Sequence, residues 1–124
     1  MISATPRGQE HELGALIAGV VAASSGWKVI YLGANLPIEE IGAVVSYLNA
    51  KVVALSVVYP QDDPLLKREL VKLHQMLSQE VSLIVGGRAA KGYYDVLDSI
   101  GAVMVKDTRQ LRLQLEAVRE NKYN

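Results

Sequence analysis

Five short apolar runs alternate with longer stretches of helical periodicity along this chain of 124 residues. The apolar runs lack polar alternation, which is typical of parallel strands covered by helices on both faces. Short connections between the runs and the helical stretches predict an α/β fold. Its expected core is a doubly wound, flavodoxin-like (Rossmann-like) sheet of five parallel strands in the order 2-1-3-4-5. We expect one domain, residues 1–124, with strands over residues 2–4, 28–32, 52–58, 81–85 and 102–105.

Each helical stretch carries apolar residues at the spacing of one helix face. Later helices show the stripes Ile38, Ile41, Val45 and Leu48; Leu66, Leu70, Leu73 and Leu77; Tyr94, Leu97 and Ile100; and Leu111, Leu115 and Val118. In the first helix the spacing picks out Leu13, Leu16, Ile17, Val20 and Val21. Beside that stripe stand small residues, among them Gly14 and Ala18, which lie one turn apart. They indicate either tight packing on the sheet or a smooth wall for a flat or long ligand.

Composition and charge exclude several classes of protein. Thirteen basic residues balance thirteen acidic ones, so this chain alone is a poor candidate for binding nucleic acid. No cysteine is present, which excludes disulfide scaffolds, thiolate metal sites and cysteine nucleophiles and suits a reducing cytoplasm. The sequence has no signal-peptide pattern and no uninterrupted apolar stretch of membrane-spanning length. We therefore expect a cytoplasmic protein without a membrane partner.

Three chemically distinctive segments follow strands one, three and four. In a doubly wound sheet, ligands bind beyond the carboxyl ends of the strands, near the switch point between strands 1 and 3. We therefore expect His11, Ser56 and the pair Gly86–Gly87 to converge there. Taken singly, each has a more common structural explanation: a loop histidine, a hydroxyl bonded to a backbone carbonyl, and a turn that needs positive φ. The second histidine, His74, flanks the leucine stripe of the third helix and is predicted to lie at the surface.

Together, the three segments resemble the motifs of cobalamin-binding domains. QEHELG, residues 9–14, resembles their DxHxxG motif, SVV, residues 56–58, resembles SxL, and Gly86–Gly87 resembles the final GG. The longer stretches ATPRGQEHELGALIA and YLGANLP most resemble the C-terminal domain of MerR-type, B12-dependent transcription regulators of the CarH/LitR kind. The resemblance covers essentially the whole chain.

The resemblance implies a cobalamin cofactor, either adenosylcobalamin or methylcobalamin. His11 would displace the dimethylbenzimidazole and bind cobalt from below, in the base-off/His-on form. The freed nucleotide tail would lie beside the first helix, in a slot lined by Gly14, Ser56, Val58, Gly86 and Gly87. Gln9 stands where the family has a carboxylate that accepts the second N–H of the histidine. Its amide oxygen could accept that bond, but it brings no charge, and losing such a carboxylate weakens ligation about 10–100-fold.

For function, the resemblance implies the sensor domain of a B12-dependent transcription regulator, a domain compatible with a light response. Such a domain acts by binding and conformational coupling and is not an enzyme. It would contact DNA only through a domain absent from this chain, and a homo-oligomer remains open. The alternatives are the corrinoid carrier of a methyltransferase system and a cobalamin-dependent mutase domain. A phosphoacceptor receiver of the same fold would need an aspartate at the end of strand three, where this chain has Val57, Val58 and Tyr59.

Overall fold

The chain folds into a parallel sheet with helices on both faces. The structure is a computed structural model that describes residues 1–9 and 11–121. The strands are β1 (Ile2–Pro6), β2 (Ile30–Leu36), β3 (Val52–Ser56), β4 (Ser82–Gly86) and β5 (Val103–Met104). The helices are α1 (Leu13–Ser24), α2 (Ile38–Leu48), α3 (Pro64–Met76), α4 (Tyr94–Ser99) and α5 (Thr108–Asn121), and a 3-10 turn (Ala90–Tyr93) precedes α4.

The strand order is β2-β1-β3-β4-β5 and every pairing is parallel. This order confirms the fold class predicted from the sequence. All five strands differ from the prediction at one or both ends, by one to four residues, and two of these differences have a clear cause. β2 runs on to Leu36, because Gly33 and Leu36 still pair with β1 across two register shifts. β3 ends at Ser56, because the N–H of Val58 donates to a side chain instead of a neighbouring strand.

Successive residues of the central strands face opposite layers, so the sheet separates two cores. On one side, Val53 and Leu55 pack with the inner faces of α2, α3 and α4. On the other side, Val52 and Ala54 pack with α1 and α5. The predicted stripes of α2 and α3 are largely buried: Ile38, Ile41, Val45, Leu66, Leu70 and Leu73. Leu48 and Tyr94 are exposed instead, because they occupy the last position of α2 and the first of α4.

Helix α1 turns its small side chains toward the sheet. Ala15 and Ala22 are 1% and 0% exposed, whereas Leu13 and Val20 are 68% and 69% exposed. Of the large residues picked out by the spacing, only Val21 is buried. Alanine contacts let the helix approach closely enough for the hydroxyl of Ser3 to donate to the Ala15 carbonyl at 2.7 Å. Within the described residues, no helix is both long and apolar enough to cross a membrane.

Enlarging a packed alanine of α1 tests this arrangement. Ala22→Leu overfills a close contact, and we expect it to lower the free energy of unfolding by about 1–3 kcal/mol. Ala23→Leu is the matched control, because Ala23 is exposed on the same helix, and its effect should stay within about 0.5 kcal/mol. Urea unfolding followed by circular dichroism measures both variants. Equal losses in the two variants would contradict the assignment of the packed face.

Candidate functional site

The carboxyl ends of β3 and β4 and the first turn of α1 meet at one point. Ser56 pairs with Gly86 in the parallel register of these two strands. Gly14 lies directly against them, since a Cβ added there would be 2.6 Å from the Ser56 hydroxyl oxygen. The structure thus brings together Ser56 and Gly86, which were predicted to converge, and adds Gly14. His11, which was also expected at this point, does not line the cavity found here. Any larger residue at position 14 would press on Ser56.

A cavity of about 160 Å³ lies between α1, α5 and the ends of β3 and β4. Its lining combines small residues with apolar ones. The residues are Gly14, Ala15, Ile17, Ala18, Ala54, Leu55, Ser56, Ile84, Gly86, Gly87, Val105, Lys106, Asp107, Thr108 and Leu111. Gly14, Ser56, Gly86 and Gly87 are the lining residues predicted from the sequence. The wall formed by Gly14 and Ala18 is also part of it.

The β5–α5 connection also lines the cavity, although it was not predicted to do so. Lys106, Asp107 and Thr108 lie there because β5 ends at the same edge as β3 and β4. The Asp107 carboxylate caps α5 by accepting the N–H of Gln110 at 2.8 Å. These residues could have been predicted from the topology, because the loop after every parallel strand lies at this edge of the sheet.

The Ser56 hydroxyl is the distinctive polar atom of the cavity. Its oxygen is buried and has no hydrogen-bond partner within the part of the chain that the structure describes. The usual explanation, a bond to a backbone carbonyl, is therefore not what the structure contains. An unsatisfied buried hydroxyl costs about 1–3 kcal/mol. This atom is available to a polar group of a ligand.

The two glycines at the end of β4 are explained by different contacts. Gly87 has φ +107°, and a Cβ on it would overlap the backbone of Val57. The close approach of the chain's own backbone therefore accounts for Gly87. At Gly86 a Cβ would lie 3.2 Å from a methyl group of Val105, so that position is crowded but not blocked. Substitution of Gly87 would disturb the fold itself and would not report on a ligand channel.

Gln9 is buried, at 2% exposure, and both the oxygen and the nitrogen of its amide make hydrogen bonds. Its oxygen accepts the N–H of Val58 at 2.8 Å and the N–H of Tyr59 at 3.1 Å. Its NH₂ group donates to the Tyr59 carbonyl. Val58, which the resemblance placed in the slot, lies outside the cavity lining and contributes its N–H to this contact. Gln9 thus joins the β1–α1 loop to the β3–α3 loop.

A second set of bonds holds the β1–α1 loop against the end of β2. The N–H of Asn35 donates to the buried Thr5 hydroxyl at 2.7 Å and to the Gln9 carbonyl at 3.0 Å. The Asn35 side chain accepts the N–H of Gly8 at 2.7 Å. Asn35 has φ +58°, a conformation that asparagine tolerates better than most residues. The YLGANLP segment therefore supports the loop that carries His11.

His11 is exposed and lies two residues before α1 begins. Its ring makes no hydrogen bond to any residue that the structure describes, and His11 does not line the cavity. Next to it, Glu12 accepts the hydroxyl of Tyr31 at 2.5 Å. Burial, followed by the hydrogen bond and the charge of Glu12, raises the pKa of Tyr31 to about 12. The residue after His11 is thus bonded to β2, and the side chain of His11 is itself exposed. His74 is exposed on α3, as predicted.

This chain is similar to known proteins in sequence and in fold. Residues 1–111 match the family model of the B12 binding domain. The HTH-type transcriptional repressor CarH of Myxococcus xanthus is 32% identical over 92 residues, which are 74% of this chain and 31% of that protein. The repressor CarA of the same organism is 27% identical over 111 residues, 87% of this chain and 37% of that protein. The chain thus spans about a third of the length of these curated relatives.

Solved structures share the fold at lower identity. A cobalamin-binding protein from Desulfitobacterium hafniense DCB-2 superposes with a TM-score of 0.79 at 23% identity, covering 94% of this chain and 57% of that one. The Methanosarcina barkeri monomethylamine corrinoid protein gives a TM-score of 0.76 at 16% identity, with the same coverage. The family match extends over every residue that lines the cavity and over His11. The chain belongs to the B12-binding domain family.

Proposed function

We propose that this domain binds cobalamin in the base-off/His-on form, with His11 as the lower cobalt ligand. The observation that carries the proposal is the unpartnered Ser56 hydroxyl in a cavity of small and apolar residues. When bound, the cofactor supplies a cobalt centre whose upper ligand, adenosyl or methyl, can be lost by light or chemistry. The residues of this chain bind and orient it.

The size and chemistry of the cavity suit the heterocycle of the nucleotide tail. A dry cavity of about 150 Å³ in another protein binds benzene, so about 160 Å³ is the scale of a small aromatic base. Apolar residues such as Ile84 and Leu111 would contact its faces, and Ser56 would exchange a hydrogen bond with a ring nitrogen. Gly14 and Ala18 leave space for the heterocycle beside α1, because neither has a large side chain. Lys106 and Thr108 would offer polar groups to the tail, since both belong to the same lining.

We further propose that the domain is the sensor part of a transcription regulator. Both curated relatives reported above are named as transcriptional repressors, and this chain corresponds to about a third of each. DNA contact would then come from another domain. The cofactor would act by stabilising whichever conformation it contacts best, so that a change of upper ligand changes the preferred state. The carrier and mutase alternatives share the lower ligand and the cavity, and they predict that cobalamin leaves DNA affinity unchanged.

Replacing His11 tests the lower ligand. Mixing the wild-type domain with adenosylcobalamin or methylcobalamin should shift the absorption spectrum of the cofactor. His11→Ala should lose the histidine-ligated spectrum and bind at least about tenfold more weakly, a loss of about 1.4 kcal/mol or more. His74→Ala is the matched control and should behave as the wild type. An unchanged spectrum with the wild-type domain would rule out the proposal.

Filling the cavity from α1 tests where the tail lies. Ala18→Leu places a larger apolar side chain in the lining, and leucine suits a helix. We expect cobalamin affinity to fall by about tenfold or more, as is typical when bulk must be displaced at a cost of about 1–3 kcal/mol. Ala23→Leu, exposed on the same helix, should bind normally. Equal affinities, measured by titration of the absorption change, would place the tail elsewhere.

Ser56→Ala separates a ligand-binding hydroxyl from a structural one. Removal of an unsatisfied buried hydroxyl should leave the stability of the ligand-free domain unchanged or raise it by up to about 1 kcal/mol. Loss of its bond to the tail should weaken cobalamin binding by about five- to tenfold. Thermal unfolding and spectroscopic titration measure the two effects. A clear loss of stability with unchanged affinity would assign Ser56 to the fold alone.

A further inference from the structure

The contacts of Gln9 differ from the role that the resemblance implied for it. An amide oxygen has two lone pairs, and both are engaged here by the N–H groups of Val58 and Tyr59. The oxygen therefore has no remaining position from which to accept the ring N–H of His11. The opposite orientation of the amide, with oxygen and nitrogen exchanged, is excluded by its contacts. Its NH₂ group would then face two N–H donors, and its oxygen would face the Tyr59 carbonyl.

We infer that Gln9 is a positioning residue that clamps the histidine loop to the β3–α3 loop. This inference rests on the proposed function for its consequence, but the clamp itself is a property of the chain without cofactor. Gln9 is two residues from His11 along the chain, and its partners begin two residues after Ser56. The clamp therefore holds the loop of the cobalt ligand in register with the strand that ends in the cavity.

The chain is also anchored on the other side of His11. Glu12 accepts the Tyr31 hydroxyl, which attaches the start of α1 to β2. The backbone carbonyl of Gln9 is bonded to Thr5 and Asn35. His11 thus lies between Gln9 and Glu12, which are both bonded to strands of the sheet, and its own ring makes no hydrogen bond to a described residue. Rigid placement by neighbouring bonds lowers the ordering that a ligand must impose when it binds.

A carboxylate at position 9 should therefore not strengthen ligation. Aspartate is one methylene shorter than glutamine and lacks the NH₂ donor, so it cannot reproduce the three bonds. Glutamate has the length to accept both N–H groups but loses the bond donated to Tyr59. The expected order of histidine ligation is glutamine, then glutamate, then aspartate and alanine. A residue that acted as acceptor for His11 would give the opposite order, with aspartate at or above glutamine.

The first experiment uses the cofactor-free protein and amide hydrogen exchange followed by NMR. In Gln9→Ala, the amides of Val58 and Tyr59 should exchange about tenfold faster than in the wild type, as expected when a bond of about 1.4 kcal/mol is lost. Gln9→Glu should restore part of the protection, because a carboxylate can accept both N–H groups but places its second oxygen against the Tyr59 carbonyl. Leu97→Ala, which removes a buried side chain of α4 that makes no hydrogen bond with Gln9, controls for general loss of stability. Unchanged exchange of both amides in Gln9→Ala would overturn the clamp.

The second experiment measures the fraction of histidine-ligated cobalamin by its absorption spectrum at saturating protein. Gln9→Ala should shift the spectrum toward the unligated form, and Gln9→Glu should recover part of the shift. Leu97→Ala, compared at a temperature where it is fully folded, should keep the wild-type spectrum. Stronger ligation in Gln9→Asp than in the wild type would overturn the inference. If no variant binds cobalamin, the proposed function fails while the exchange result still decides the clamp.

Discussion

Close packing of α1 on the sheet is the constraint on which the candidate site depends. Ala15 and Ala22 bring the helix near the strands, and the Ser3 hydroxyl fixes its distance from β1. Only at that distance does Gly14 lie against Ser56. The same approach determines the gap that remains between α1 and α5 above the ends of β3 and β4. Larger inward residues would have widened the gap and removed the contact that leaves the Ser56 oxygen buried.

Strand order and the convergence of the loops could be predicted from the sequence, because both follow from topology. Alternating short strands and helices predict a doubly wound sheet, and such a sheet delivers Ser56 and Gly86 to one edge. The packed face of α1 could not be predicted in this way. The helix carries no charged residue from Leu13 to Ser24, so the sequence has no polar side that would mark the solvent face. With apolar residues all round, size and not polarity decides which face approaches the sheet.

The contacts of Gln9 could not be predicted from the motif either. The motif compares side chains, whereas the partners of Gln9 are the backbone N–H and carbonyl groups of Val58 and Tyr59. Those groups become available only because β3 stops pairing at Ser56. The boundary of a strand is among the least certain predictions from a sequence. An error of two residues at the end of β3 was sufficient to conceal the role of Gln9.

The bonds of Thr5 and Asn35 have a consequence for transplanting this site. The segment QEHELG reads as a self-contained motif, yet its first residue is held by a threonine from β1 and an asparagine from β2. A graft of residues 9–14 onto another flavodoxin-like sheet would transfer the imidazole without the hydrogen bonds that hold its loop. A graft that keeps the conformation of the loop must also include Thr5, which precedes the loop, and Asn35, whose left-handed backbone contacts it. The histidine motif therefore depends on β1 and on the end of β2 as well as on its own loop.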